Sequence, residues 1–529
     1  MSQKMVLKAV CLVLVILAIS GLTMAAAPLS KEKLVLTAFA PFNPSKTGGA
    51  ISNYGELPIY KILAEKTNIT MKFIHPPVGQ EKEQLNLMVA AGDFPDVIEW
   101  EWMNYMGGAE KAIRDGAATP LNKMLPKYAP NLSRLLKQNP QIRKEMLTDK
   151  GTIYCFPFLR KDPFLRSTWG FQLRKDWLDK LGLKVPTTVN EWYTVLKAFK
   201  ERDPNGNGKA DEIPLIATGL HGNPYGNNAL RYWTFPWGIE YGFYHVKGVV
   251  KYGPAEPEFK DWLKTMNQWY REGLIDPDFI SNDDKSFDAK VLNDIAGSWH
   301  GTSSGNFGRF TALAQKKNPD FHLVGAPYPL GAAGKPYNLY SSAAKQFPGS
   351  GAAITKSNKH VIETVKFLDY AFSPEGHMLF NFGVEGLTYK MVNGYPQLTD
   401  LIAKNPKLPI DQAIGAHFRG VDQPPCEMDR RIYEQRVFLP ELRDSIKLWA
   451  TADISRVMPS VSLLPEEVRK YSDIMNEVTT YTDEMTVKFI VGRVPLSKYD
   501  DYLQTINKMG IKEAVAMQQA SYKRYLIRK

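Results

Sequence analysis

Apolar residues recur along this chain in two alternating periods, and the switches between them mark out its elements. Residues 34–40 (LVLTAFA) and 69–74 (ITMKFI) alternate or run apolar as strands do. The stretch 81–91 reads as a helix with Leu85, Leu87, Met88 and Ala91 inward, and the turn Gly92-Asp93-Phe94-Pro95-Asp96 leads into Val97-Ile98. Strand, helix, strand, helix, strand is the order of a parallel sheet with helices on its faces. A second block begins past Arg166: an extended stretch at 168–173, a helix at 175–181, then Gly182. Residues 259–271 form an amphipathic helix with Phe259, Trp262, Leu263, Met266 and Trp269 on one stripe, stopped at Gly273. Residues 295–299 and 323–329 are extended, 361–372 are helical, and the chain from Glu441 onward is mostly helical with long polar faces. No internal repeat or low-complexity tract interrupts this order.

One loop carries a chemical signature. In DPNGNGKADE, oxygen-bearing groups fall at alternate positions: Asp203, Asn205, Asn207, the backbone carbonyl of Lys209, then Asp211. Calcium takes six to eight oxygen ligands, and an EF-hand loop supplies them from its odd positions with Gly at the sixth. Gly208 is that sixth residue, while Pro214 stands where an EF-hand has its last Glu, so Glu212 is left to supply the third carboxylate. A metal-free Gly/Asn turn is the alternative. Before the loop, Thr188 and Glu191 form a capping box, and Val189, Trp192, Tyr193, Leu196 and Phe199 follow at helical spacing. After it, 213–217 is short and apolar. With a helix entering and none leaving, the loop lacks the pair of helices that a calcium switch moves, so the expected role of calcium is structural.

Composition adds a compartment. Lys4 and Lys8, an uncharged stretch at 9–27 and the closing Ala25-Ala26-Ala27 have the order of a secretory signal peptide, 1–27; an uncleaved anchor is the alternative. Cys11 follows Val10 rather than the small residue that a lipoprotein signal needs. About 500 residues remain, too many for one core. Loss of Lys4 and Lys8 lowers the formal charge from +11 to +9, and no basic run or nucleic-acid motif accompanies it. Cys155 and Cys426 remain, and an oxidising compartment permits their pairing.

Four segments in collinear order, EQLNLMVAAGDFPDV (83–97), the long block 173–214, WYREGLIDPDF (269–279) and NFGVEGLTY (381–389), resemble the extracellular solute-binding proteins of bacterial ABC importers, in their sugar-binding branch and with particular likeness to alginate-oligosaccharide-binding proteins. The resemblance implies an α/β, two-lobe periplasmic-binding-protein fold of type II, each lobe a mostly parallel sheet flanked by helices. It implies lobe 1 at 28–163 and 325–388, lobe 2 at 164–324, and a helical 389–529 mainly with lobe 2, with crossings near 162–166, 324–329 and 389–392. It also implies an exported, monomeric protein, periplasmic or extracellular and meeting the membrane through a permease, with an oligosaccharide held between the lobes.

Sugars present flat apolar faces edged by hydroxyls, so aromatic platforms with convergent polar groups are the expected site. Tyr154 in GTIYCFPF, Trp299 in AGSWHG and Tyr389 in GLTY match cleft positions of similar proteins; Trp100 and Trp102 follow a strand end, where open α/β sheets bind ligands. Each has the alternative of being core. Ala352 stands where relatives often carry an aromatic, which puts alginate itself in doubt. Arg166, Arg231 and Arg309 are candidates to pair with acidic sugars, or are surface arginines. Gly301-Thr302-Ser303-Ser304-Gly305 matches G-x-S-x-G, with Asp369 and His377 following in hydrolase order. The small-residue loop alone explains that match; separately, a secreted carbohydrate-active lyase or hydrolase on a related scaffold is the second reading, and it would need paired carboxylates or a Tyr/Lys base in one cleft, which no local signature marks.

Overall fold

The computed structural model describes residues 28–222 and 228–528, so the leader expected at 1–27 lies outside the described residues. The strands are β1 (Leu34–Phe39), β2 (Ile69–Ile74), β3 (Val97–Glu101), β4 (Phe156–Pro157), β5 (Trp169–Arg174), β6 (Ile213–Leu215), β7 (Phe243–Val246), β8 (Val249–Tyr252), β9 (Ala296–Thr302), β10 (Leu323–Ala326), β11 (Ser350–Ile354), β12 (Tyr389–Val392) and β13 (Tyr395–Leu398). They build two open sheets, β2-β1-β3-β11-β4 and β10-β5-β9-β6, and two hairpins, β7-β8 and β12-β13.

The opening unit follows its pattern. β2 buries Ile69, Met71 and Phe73 on alternate positions and pairs parallel with β1, Leu34 opposite Ile69 through Phe39 opposite Ile74. Helices Pro58–Thr67 and Glu81–Ala91 make the crossovers. In the second of these Leu85 is buried and Met88 half-buried, but Leu87, two positions past Leu85 and so across the helix, is 57% exposed instead of inward, and Ala91 in the last turn is exposed as well.

The sheets are mixed rather than mostly parallel. β11 reaches the first sheet only after the chain has visited the second lobe, and it runs antiparallel to both β3 and β4. β5 is antiparallel to β9 and β10, and β6 with β9 is the parallel pair of the second sheet.

Each sheet has its own core. The first contains Phe39, Ile98, Trp102 and Phe156, and takes up residues from Phe347 through Ile432. The second contains Trp177, Trp192, Trp233 and Trp269, and keeps Ala326, Tyr328, Tyr337 and Leu339. The return to the first lobe thus comes near Phe347 rather than at 325, and the final departure near Ile432 rather than at 388. Val324 lies inside β10 and Tyr389–Val392 forms a hairpin, so neither is a crossing.

The crossings lie side by side. Leu159 N–H donates to Cys426 O at 2.9 Å, Met428 N–H to Leu159 O at 2.9 Å, and Arg160 N–H to Gln346 O at 2.9 Å. Three strands joined by backbone hydrogen bonds make a hinge that bends without unravelling. Cys155 and Cys426 are buried free thiols.

The C-terminal helices Pro440–Trp449, Pro465–Ile490, Tyr499–Lys508 and Ile511–Leu526 cover the second lobe. The Trp449 indole packs where Gly170 and Gly325 present no side chain, and its Nε1 donates to Ala326 O at 3.0 Å. The last helix reaches back to the first lobe: Arg524 Nε donates to Asp149 Oδ2 at 2.7 Å and Arg528 Nη2 to Asp149 Oδ1 at 2.6 Å. Among the described residues no helix is long and apolar enough to cross a membrane.

Candidate functional site

The first lobe offers a polar wall at the carboxyl ends of β1 and β3, the place where open α/β sheets bind ligands. A cavity of about 170 Å³ opens there, lined by Lys46, Glu99, Trp100, Glu101, Arg419 and Asp422. Arg419 is 3% exposed and engaged at both terminal nitrogens: Nη2 donates to Glu99 Oε2 at 2.8 Å and Nη1 to the Tyr60 hydroxyl at 2.9 Å, above the Tyr54 ring at 3.9 Å. Lys46 Nζ lies 3.4 Å from Asp422 Oδ1. Burial pushes the Tyr54 and Tyr60 hydroxyls far above the usual phenol range, so they remain protonated. Among the described residues Trp100 Nε1 has no hydrogen-bond partner.

The second lobe offers an aromatic wall. Trp169 at the start of β5 lies 4.8 Å from Tyr340 and 6.5 Å from the His300 ring, while Tyr232 lies 4.1 Å from His300 and 5.8 Å from Tyr340. Burial, helped by the charge of Arg231, lowers the His300 pKa to about 3, and neither of its ring nitrogens has a hydrogen-bond partner among the described residues. Ser303 Oγ and the Tyr433 hydroxyl share a 2.7 Å hydrogen bond nearby in the same lobe. Arg160, on the first crossing strand, has its pKa lowered by burial, against the opposing influence of Tyr340, Tyr433 and Glu101.

Of the aromatics singled out from the sequence, Trp100 lines the first-lobe cavity. Trp102 is fully buried, with Nε1 donating to Gly351 O at 2.9 Å, and Tyr154 is buried 6.1 Å from it. Trp299 is also core, its Nε1 donating to Gln172 Oε1 at 2.9 Å among Phe287 and Phe310. Successive strand residues face opposite sides, so burying Trp299 turns His300 toward Tyr232. Tyr389 is buried against Phe382 at 5.8 Å in the first lobe. Arg160, Tyr232, Tyr340 and Tyr433 are marked by no motif in the sequence.

Among the arginines, Arg309 is held bidentately by Asp288 at 2.6 Å, and Arg166 Nη1 donates to Ala343 O at 2.8 Å. Arg231 Nη1 lies 2.9 Å from His221 Nδ1. The G-x-S-x-G residues do not gather a triad. Ser303 is buried in the second lobe, whereas Asp369 accepts from the N–H groups of Asn131 and Leu132 and His377 pairs with Asp429 at 2.9 Å in the first.

The loop at 203–212 is curled around its own acids. Asp203 (φ 42°) accepts from the N–H groups of Gly206, Asn207 and Gly208 at 2.8–3.1 Å; burial opposes its ionisation, but these donors outweigh it and hold its carboxyl below the usual range. Asn207 Nδ2 donates to both Asp211 oxygens at 3.1 and 3.2 Å. Glu212 is 8% exposed, and among the described residues no other side chain or N–H group donates to its carboxylate oxygens in good geometry. Burial, then the charges of Asp203 and Asp211, raise its pKa. An orphaned carboxylate beside two others fits a cation with oxygen preference. As folded here, no three His, Cys, Asp or Glu side chains among the described residues converge as a finished metal cluster.

Comparison with known proteins gives one consistent neighbourhood. Residues 54–378 match the family profile described as bacterial extracellular solute-binding protein. The fructooligosaccharide ABC transporter substrate-binding protein FusA of Streptococcus pneumoniae is 26% identical, over 94% of this chain and 91% of its own. Lipoprotein LipO of Bacillus subtilis is 28% identical over 86% of each chain. The crystal structure of alginate-binding protein AlgQ2 without calcium ion superposes with a TM-score of 0.70 at 27% identity, covering 94% of this chain and 99% of that one. With two lobes facing each other across three crossing strands and the profile matching more than half its length, the chain belongs to the bacterial extracellular solute-binding proteins.

Proposed function

We propose that this protein is the receptor of an ABC importer that closes its two lobes on an oligosaccharide and delivers it to a membrane permease. The observation that carries this is the pairing of an aromatic wall on one lobe, the half-buried Trp169 and Tyr340 rings backed by the buried Tyr232, with a polar cavity beside Trp100 on the other. A sugar's apolar face stacks on rings while its hydroxyls meet carboxylates and amides, so an oligosaccharide touches both walls at once. A ligand that touches both lobes favours the closed state; one that touches a single lobe shifts nothing. The oligosaccharide relatives support the same reading.

Export to the periplasm or cell exterior, a monomeric state and contact with the membrane through the permease belong to this proposal. So does structural calcium. Asp203, Asn205, Asn207, the Lys209 carbonyl, Asp211 and Glu212 would hold the ion, whose charge would neutralise the acids and fix the end of helix Val189–Glu201 to β6. The orphaned Glu212 carboxylate supports it.

Thermal-shift measurements over neutral and acidic oligosaccharides test the proposal, because a ligand bound only by the native state raises its apparent stability. A raised melting point with a smaller radius of gyration in solution scattering is expected. Catalytic release of product from any of these sugars would favour the lyase or hydrolase reading and overturn this one.

A further inference from the structure

Arg160 stands just beyond the strand ends that line the first-lobe cavity. Phe158 N–H, two residues earlier, donates to Ser350 O at 2.8 Å, and Ser350 lies directly opposite Glu101 in the β11–β3 pairing. No hydrogen bond or ion pair among the described residues ends on the Arg160 guanidinium, and its Nε is shut off from water without an acceptor. Its packing partner is the Phe158 ring, 5.7 Å from Cζ. Burial holds its pKa below the usual guanidinium range, while Tyr340, Tyr433 and Glu101 oppose that and Arg166 adds to it.

The Nε atoms of Arg166, Arg231 and Arg419 also lack an acceptor among the described residues, but each of these guanidiniums has a partner at another nitrogen. Arg174 is held by Asp176 and Asp294, Arg419 by Glu99, and Arg528 by Asp149. A guanidinium carries five donors and stays charged, so leaving one half-buried without an acceptor is unfavourable unless a ligand supplies the acceptor.

Charge decides what kind of acceptor. The cavity lining sets Lys46 and Arg419 against Glu99, Glu101 and Asp422, with Lys46 and Arg419 already engaged by carboxylates, and Arg160 behind it is a third cation whose charge Glu101 favours. In the second lobe Arg231 lies against His221, and Glu240 favours its charge. Three cations match three carboxylates. A uronate would add an unmatched negative charge beside Glu99, Glu101 and Asp422, whereas an uncharged ring leaves the balance intact and offers hydroxyl donors to the acids.

Resting on the oligosaccharide-receptor reading above, we infer that Arg160 is a specificity-determining residue for an uncharged sugar ring: its guanidinium donates to a ring or hydroxyl oxygen of a ring seated beside Trp100, whose other hydroxyls donate to the cavity carboxylates.

The test compares the parent with Arg160→Met and Arg160→Lys by calorimetric titration and thermal shift. The probes are neutral tri- to pentasaccharides of fructose, glucose, mannose and xylose, and oligogalacturonates of equal length. A neutral probe is expected to bind the parent, with affinity falling about 10- to 100-fold in Arg160→Met, as loss of a charged hydrogen-bond donor implies. Arg160→Lys should fall between. The ligand-free melting point of Arg160→Met should equal or exceed the parent's, since an unpaired charge has gone, and this separates lost recognition from lost folding. Unchanged affinity in Arg160→Met, or oligogalacturonates binding the parent as tightly as neutral probes, overturns the assignment while leaving the receptor reading standing. If no probe shifts the parent, the receptor reading fails and the assignment falls with it.

Discussion

The Trp169 indole lies against the Tyr340 phenol with ring centroids 4.8 Å apart and planes tilted by 30°. Both rings are only partly buried, unlike the tryptophans of the core behind them. A pair of aromatic faces held open at the base of a cleft is a platform, and its removal should affect binding far more than folding.

Trp169→Ala and Tyr340→Ala are therefore each expected to weaken oligosaccharide binding by about 5- to 30-fold, or about 1–2 kcal/mol. Calorimetric titration reads the loss. The control is Trp102→Ala: that ring is fully buried, so its removal should cost about 3–5 kcal/mol of stability by chemical denaturation.

Chelation tests the loop at Asp203. Calcium at 100-fold above its dissociation constant should stabilise the protein by about 2.7 kcal/mol over the chelated form. In chelator the raised pKa of Glu212 sets the pH dependence: its contribution is fully present below the usual carboxylate pKa and lost as pH rises through its folded value. Calcium should flatten that decline. Glu212→Gln should be more stable than the parent in chelator at neutral pH and gain less from calcium, read by calorimetric melting.

Glu240 supplies a second titration. Burial raises its pKa to about 7, against the opposing charge of Arg231. The folded state therefore holds this proton more tightly than the unfolded chain. Its contribution is complete below about pH 4.5 and lost by pH 7, up to about 3 kcal/mol. Glu240→Gln should remove this dependence and leave the variant more stable than the parent above pH 7 in urea titrations.

The tie between the last helix and the first lobe centres on Asp149, which accepts from both Arg524 and Arg528. Arg528 is 8% exposed, so Asp149→Ala would leave a buried cation unpaired. A loss of about 3 kcal/mol is expected. Hydrogen exchange in the helix Ile511–Leu526 should rise with it.

Local features were the legible ones. The alternation of β2, the stripe of helix Pro257–Arg271 and the capping box Thr188–Glu191 each depend on residues a few positions apart, and each folds as its pattern dictates. The crossings were not legible, because their partners are remote in sequence and carry no motif: Leu159 meets Cys426 and Arg160 meets Gln346. Among 11 tryptophans, apolarity does not tell platform from core. On β9 the choice between Trp299 and His300 depends on which side Phe287 and Phe310 occupy, a tertiary fact. Arg160 was invisible for the opposite reason, since what marks it is the lack of a partner.

The three-strand hinge has a consequence for biosynthesis. The first core cannot close until residues 347–432 have been made, and the second waits for the helices after them. A chain emerging from the ribosome thus carries unfinished apolar surface from both lobes until most of it has been synthesised. Cutting the gene once at the middle crossing, near Gln346, would yield fragments in which neither core is whole, so from that cut the lobes are expected to be recoverable only together.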